Sequence, residues 1–426
     1  MRQVRWVGWT FAAAAMLLAT APSVVRADVT SDKAAAIVVY PIVNVGGPFA
    51  QDTLIQLSNT STKPIEAHCF YLNANGHCTN NGAICSTGAQ CFEGNSFGLC
   101  LPGWNETDFR VFITARQPIA WEASDGLSSF CKSDALGEPC IPIDGTSRRG
   151  PKDPTDPTGT RLQSNAGTRI PPVPETPFIG ELKCVAISPS GDPWPSGIFA
   201  PDNDPNVLKG EATLENVAAG APPRVDVGKY NAIGIRGLSN PNDDGIPSRL
   251  TLSNNGGEYE GCPNVLVLDH FFDSAQNPVP GITPTRRAFT WPVFVPCSED
   301  LLKQIPGTAI AQYLVFNEFE QRFSTSNTVQ CFRATALSFT DTTQPQNSIF
   351  NAGITGTLTG QTRVSPLGSG LIAVALEYWT TASTTNPIDA ILDGMANPTG
   401  EPGQQDDVNV HYQSSVRPNP DIIQLP

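Results

Sequence analysis

Apolar residues in this chain come in short runs, rich in Val, Ile, Phe and Thr and bounded by Asn, Gly, Pro and Ser. Helical periodicity is nearly absent, so the runs predict strands separated by turns. The first is 34–45 (AAAIVVYPIVNV), where Pro41 marks an edge or a bend. Next come 52–59, a turn at 60–63, and 64–72, the turn closed by Asn and Ser side chains. Leu54, Ile55 and Leu57 do not alternate cleanly, which points to cover on both faces. In 109–121, Phe109, Val111, Ile113 and Ala115 alternate against Arg110, Phe112, Thr114 and Arg116. Only 297–303 (CSEDLLK) has helical character, a single turn with Ser298 as its cap.

Six of these strings recur in the same order in the two halves. They pair 54–59 with 250–254, 65–72 with 266–273, 110–119 with 292–301, 184–188 with 334–338, 208–214 with 358–364, and 230–235 with 371–375. The fold class this predicts is all-β: two tandem antiparallel β-sandwich domains with immunoglobulin-like packing, arising from an internal duplication. One larger jelly-roll sandwich is the alternative. The first domain spans 28–237 and the second 246–380, followed by a flexible polar tail at 383–426. The first domain carries two insertions that the second lacks. The Cys-rich stretch 76–102 has little apolar material and needs disulfides to hold it. The Pro-rich stretch 132–177 reads as an extended loop. The second domain has instead an extra strand pair around 313–323.

Residues 1–27 read as an export signal, with Arg2 and Arg5 ahead of an apolar stretch and Val25-Arg26-Ala27 at the cleavage site. No later run is long enough to span a bilayer. The whole chain has 26 basic residues; without Arg2, Arg5 and Arg26, 23 remain against 40 acidic ones, a net charge of −17. That balance excludes nucleic acid as a partner, which needs a basic face. All 11 cysteines follow the signal, and no CxxC occurs among them, so they read as disulfides of an oxidising compartment. Cys78, Cys85, Cys91 and Cys100 pair among themselves in one of three ways, and Cys131 pairs with Cys140. Cys262, Cys297 and Cys331 leave one over unless the first half supplies a partner.

The strings DTLIQLSNTS (52–61), CFYLNANGHC (69–78), LDHFFD (268–273), LVFNEFEQRFSTS (314–326) and GTLTGQTR (356–363) resemble those of an uncharacterised family of exported bacterial proteins. The resemblance covers most of the chain after the signal. It implies export and a β-rich fold, and it carries over no activity and no functional residue.

Candidate chemistry is sparse. His68 and His270, two of four histidines, fall at or near one place in the two halves, and each is a candidate ligand or general base. Asn240, Asn242 and Asp244 before Gly245 match the first half of an EF-hand-like loop, a weak calcium candidate. The match then fails, because Thr251 stands where a bidentate Glu belongs. Glu318 and Glu320 flank a strand end and read as an outward polar face rather than a glycosidase pair. Trp104 and Trp194 lie beside loops, where exposed indoles would stack on a sugar or anchor a protein, and buried ones would plug the end of a sandwich. No HExxH, Walker or GxGxxG motif is present. The expected function is therefore that of a secreted, extracellular or periplasmic, non-enzymatic binding or surface protein without cofactor, its partner a protein or glycan at the cell exterior. A secreted hydrolase of a polymer with a site between the domains, and a calcium-stabilised structural module, are the alternatives.

Overall fold

The computed structural model describes residues 29, 31–46, 51–127, 130–132, 161–163, 170–216, 225–276, 286–381, 405–413 and 419–426, less 86–87, 94–95, 103, 200 and 409. The expected export signal, much of the Pro-rich loop, most of the polar tail and the expected Cys131–Cys140 pairing lie outside the described residues. What is described is strand with short helical turns, none longer than four residues.

Four sheets make up the body. The first runs Pro118–Glu122, Gln51–Asn59, Leu208–Asn216, Val225–Asn231. The second runs Ile233–Ile235, Ile37–Val45, Phe178–Ile187, Ile65–Asn73, Asn105–Ile113. The third is centred on Arg286–Pro296 and Leu371–Thr381, with Ala275–Gln276 and Gln405–Val408 at its sides. The fourth runs Arg322–Gln330, Thr308–Asn317, Thr359–Gly368, Val265–Phe271, Val410–Gln413. Nearly all neighbours are antiparallel; Glu299–Asp300 beside Asp421–Gln424 is a parallel exception.

The sheets are stacked in that order. The first two are joined by Tyr40 Oη, which donates to the Gln56 carbonyl at 2.6 Å, and by Trp121 Nε1, which donates to Tyr71 Oη at 2.7 Å. Cys69 and Cys184, directly opposite each other on neighbouring strands, form a disulfide in the second sheet. The other face of the second sheet, with Ile37, Val39 and Val185, packs into one apolar cluster with Val293, Val295, Ile372 and Val374 of the third. The third sheet then turns Phe294, Ala373 and Ala375 to Leu266, Leu268, Ala311 and Val315 of the fourth. The core therefore does not divide at the 237–247 junction, and the second and third sheets form a shared interface.

Burial along the strands follows from this layering. Ile37–Val45 and Phe178–Ile187 are almost wholly buried, as strands covered on both faces must be. Thr308–Asn317, in an outer layer, alternates exposed and buried residues. Pro41 lies at a bend: the pairing of its strand with Phe178–Ile187 shifts register between Tyr40 and Val43.

The strings repeated in sequence do not keep their pairing. Ile65–Asn73 and Leu208–Asn216 belong to different sheets, whereas their counterparts Val265–Phe271 and Thr359–Gly368 are hydrogen-bonded neighbours. A duplication thus rests on string order and not on topology.

Two local expectations are corrected. The stretch 297–303 holds the short strand Glu299–Asp300 and a turn instead of a helix. Ser298 does not cap it, because its hydroxyl is committed to Asp421 Oδ1 at 2.7 Å. The polar tail ends in a fixed strand, Asp421–Gln424, which pairs with Arg249–Leu252 and buries Ile423. Asp421 fixes it by also accepting from the Gly370 backbone N–H at 2.8 Å and the Ser369 hydroxyl at 3.1 Å.

Deleting 419–426 removes these buried charge-assisted bonds and uncovers Leu250 and Leu252. The expected loss is about 3–5 kcal/mol, read as a lower urea midpoint. An unchanged midpoint would mean the strand is not structural.

Candidate functional site

The insertion 76–102 leaves the body between Ile65–Asn73 and Asn105–Ile113, at one end of the second sheet's edge strand. It folds as a small sheet of Gly76–Cys78, Ile84–Cys85 and Cys100–Pro102, plus a hairpin of Phe92–Glu93 with Ser96–Phe97. Disulfides Cys78–Cys91 and Cys85–Cys100 cross-link it, resolving which of the three pairings is used. Loops of this size gain about 3 kcal/mol per bridge, a necessary substitute in a segment whose only core is its own cysteines. Gly76 has no alternative: a Cβ there would lie 2.6 Å from the Cys85 carbonyl oxygen and 2.7 Å from Cys100 Sγ.

With its interior filled by sulfur, the module turns its large apolar side chains outward. Phe97 is 84 % exposed, Leu99 66 %, Phe92 53 % and Leu101 49 %. The Phe92 and Phe97 rings touch at a tilt on the hairpin, with centroids 4.7 Å apart. The signal for this was in the sequence: apolar residues in a cystine-rich stretch too short to bury them.

A polar clamp sets the module's angle to the body. Glu175 accepts from Asn73 at 2.6 Å and Asn75 at 2.7 Å, and its other oxygen meets His77 Nε2 at 2.9 Å. Burial opposes ionisation of Glu175, but the bonds from Asn75, His77 and Asn73 outweigh it and hold the carboxyl below its ordinary value of 4.5.

The residues singled out in sequence do not converge. His68 and His270 do not fall at equivalent positions, because the repeat aligns His68 with Asp269, one residue off, and one step along a strand reverses the side chain. His68 meets Asp108 at 2.9 Å beside the edge strand of the second sheet, on the face it shares with Val185. Burial lowers its pKa although Asp108 opposes this. His270 points into the fourth sheet's core, donating from Nδ1 to the Phe271 carbonyl at 3.0 Å and accepting at Nε2 from Thr362 Oγ1 at 2.8 Å. Burial pushes its pKa down to about 4, so it is a poor base at neutral pH.

His270 also lines a cleft of about 510 Å³ with Asp269, Glu318, Glu377 and Phe316. Glu318 sits in the turn after Thr308–Asn317, not on a strand, and accepts from the Thr359 backbone at 3.1 Å. Asp269 accepts from Gln361 at 2.9 Å. The carboxylates here are spoken for by neighbours, and no base is paired with a nucleophile among the residues lining the cleft.

In the calcium-candidate loop the oxygens that converge belong to Asp243, Asp244 and Glu258, within 4.8 Å of one another. Asn242 instead donates to the Gly256 carbonyl at 3.4 Å, and no contact joins Asn240 to the cluster. Burial, with Asp244 and Asp243 adding to it, pushes Glu258 up to about 7. Arg249 Nε lies 3.6 Å from Asp244 and occupies part of the charge. Trp104 and Trp194 are 8 % and 7 % exposed, so the exposed-indole reading is corrected: neither ring is free to stack on a ligand. Trp194 is buried because it packs with Phe199 and its carbonyl accepts from Tyr259 Oη at 2.7 Å, between the halves.

No helix among the described residues is long and apolar enough to cross a membrane. Comparison of the chain with protein-family models, curated proteins and solved structures finds no match.

Two outcomes are expected. The Glu175 clamp has a depressed pKa, so it contributes above pH 4.5 and is lost as pH falls through the folded value. Acidification and Glu175→Ala should each speed amide exchange at 76–78 relative to the body; equal protection in both would contradict the clamp. For His270 the lowered folded value means stability is lost as pH falls from 6.5 towards 4. By pH 5 the wild type should have lost about 2 kcal/mol more than His270→Gln, read by urea titration. Parallel pH profiles would refute it.

Proposed function

We propose that the chain is an exported, non-enzymatic binding protein and that the module 76–102 is its partner-contacting surface. The observation that carries this is the set of exposed Phe92, Phe97, Leu99 and Leu101 on a scaffold fixed by two disulfides. Aromatic and aliphatic anchors held rigid before contact lose little entropy on binding, which is how a small patch gains affinity. The module offers apolar area with few charges, and this suits a protein partner at the cell exterior better than a glycan, since Trp104 and Trp194 are buried. Export is supported by the apolar segment behind Arg2 and Arg5 and is consistent with the disulfides.

A hydrolase is the weaker reading, because the cleft at His270 has a histidine of low basicity and committed carboxylates. A calcium role is supported only by Asp243, Asp244 and Glu258, already engaged in part by Arg249 and by the Thr251 N–H.

The test is a quantitative pull-down from native surface extract, comparing wild type with Phe97→Ser/Leu99→Ser. Phe319→Ser serves as the control, at a 69 % exposed site on a hairpin of the fourth sheet. Loss of an anchor of this kind costs about 2 kcal/mol, so recovery should fall about 30-fold with the module variant and stay unchanged with the control. Equal recovery from all three would remove the module from the function.

A further inference from the structure

The second and third sheets meet around a cluster of three ionised-type side chains that neither the binding module nor the packing of apolar residues requires. Lys183 lies in a central strand of the second sheet, between Val39 and Phe70, both fully buried. Its Nζ is 3.1 Å and 3.2 Å from the two oxygens of Glu181, two residues along the same strand face. It also contacts Glu299 Oε1, which arrives from the segment following the third sheet's Arg286–Pro296. The Pro296 carbonyl is 3.5 Å away. The three side chains are each no more than 2 % exposed. The Cys262–Cys297 disulfide closes the chain immediately beside Glu299.

One ammonium against two carboxylates leaves a net negative charge in an apolar layer, an arrangement that desolvation penalises heavily. Moving one proton from nitrogen to a carboxylate gives an amine, a carboxylic acid and a carboxylate, in contact and without water. That is the set of groups an amide-forming condensation needs. We propose that Lys183 and Glu299 are joined by a covalent isopeptide bond, with Glu181 as the proton carrier, so that the two halves of the chain are cross-linked through their shared interface.

The step balances. The Nζ lone pair of neutral Lys183 attacks Cδ of the Glu299 carboxylic acid. Glu181 takes one N–H proton as the C–N bond forms and returns it to the departing hydroxyl. One water leaves, the C–O bond is broken, and Glu181 ends as it began. No oxidant, metal or activated ester is involved. The enclosure supplies the driving terms. Contact replaces a bimolecular encounter, and the product exchanges a buried amine and acid for a neutral amide. Burial also pushes the Lys183 ammonium below its ordinary 10.5 and Glu181 above its ordinary 4.5, the direction in which both become competent for their parts.

The experiment is the intact mass of the purified, non-reduced full-length mature protein, followed by peptide mapping. The expected mass is lower, by one water, than that of the sequence with its disulfides. Mapping should recover a branched peptide joining the Lys183 and Glu299 segments. Glu181→Gln, which keeps the shape and removes the proton carrier, should restore the missing water in folded protein, with circular dichroism checking the fold. Linear Lys183 and Glu299 peptides from wild type at full mass would overturn the proposal. Loss of water mapped to any other pair would overturn it equally.

Discussion

A lysine and two glutamates held out of water between two sheets impose the strictest constraint on this molecule. Polar groups of this kind, as ions or joined as an amide, are tolerated in an apolar layer only with every partner in place, and removing one leaves a buried polar group unpaired. Lys183 and Glu181 come from the first half and Glu299 from the second, so neither half alone completes the cluster. The second and third sheets must therefore meet at one register. Tyr259 on Trp194 and Asp421 on Ser298 and Gly370 keep the neighbouring parts of the interface aligned with it.

From that alignment the outer layers follow. With the second and third sheets covered on both faces, the first and fourth are left with a solvent face each, and loops that leave the stack have no remaining core to enter. The insertion 76–102 is such a loop. It is stabilised by two cystines in place of a core, and its apolar residues consequently face outward. Structure and exposed surface are here two results of one shortage: too few residues to enclose their own side chains.

The strand content was legible because β-branched runs between Asn, Gly and Pro have few other readings, and the extra strand pair expected around 313–323 is the hairpin of Thr308–Asn317 and Arg322–Gln330. The pairing was not. Ordered strings fix neighbours along the chain, but a sheet joins residues far apart, as Asp421–Gln424 joins Arg249–Leu252, and nothing local encodes that. The polar composition of the tail hid its last strand for this reason. Prolines on both sides of Trp194 leave a surface loop and a plug at the end of a sandwich both open in the sequence, and here the loop closes the core. The buried cluster did leave a trace. Glu181 and Lys183, two apart in the otherwise apolar run FIGELKCVAI, share one face of a strand, and opposite charges so placed signal a paired interior site. Its third member, in CSED, could not be found without the fold.

Native-state hydrogen exchange across a denaturant series tests the shared interface most directly. Amides of Val39 and Val185 in the second sheet and Val293 and Val374 in the third should converge on one opening free energy with one denaturant dependence, because the two halves unfold together. Two separate limits, with one half exchanging through an opening that leaves the other protected, would contradict a single cooperative stack.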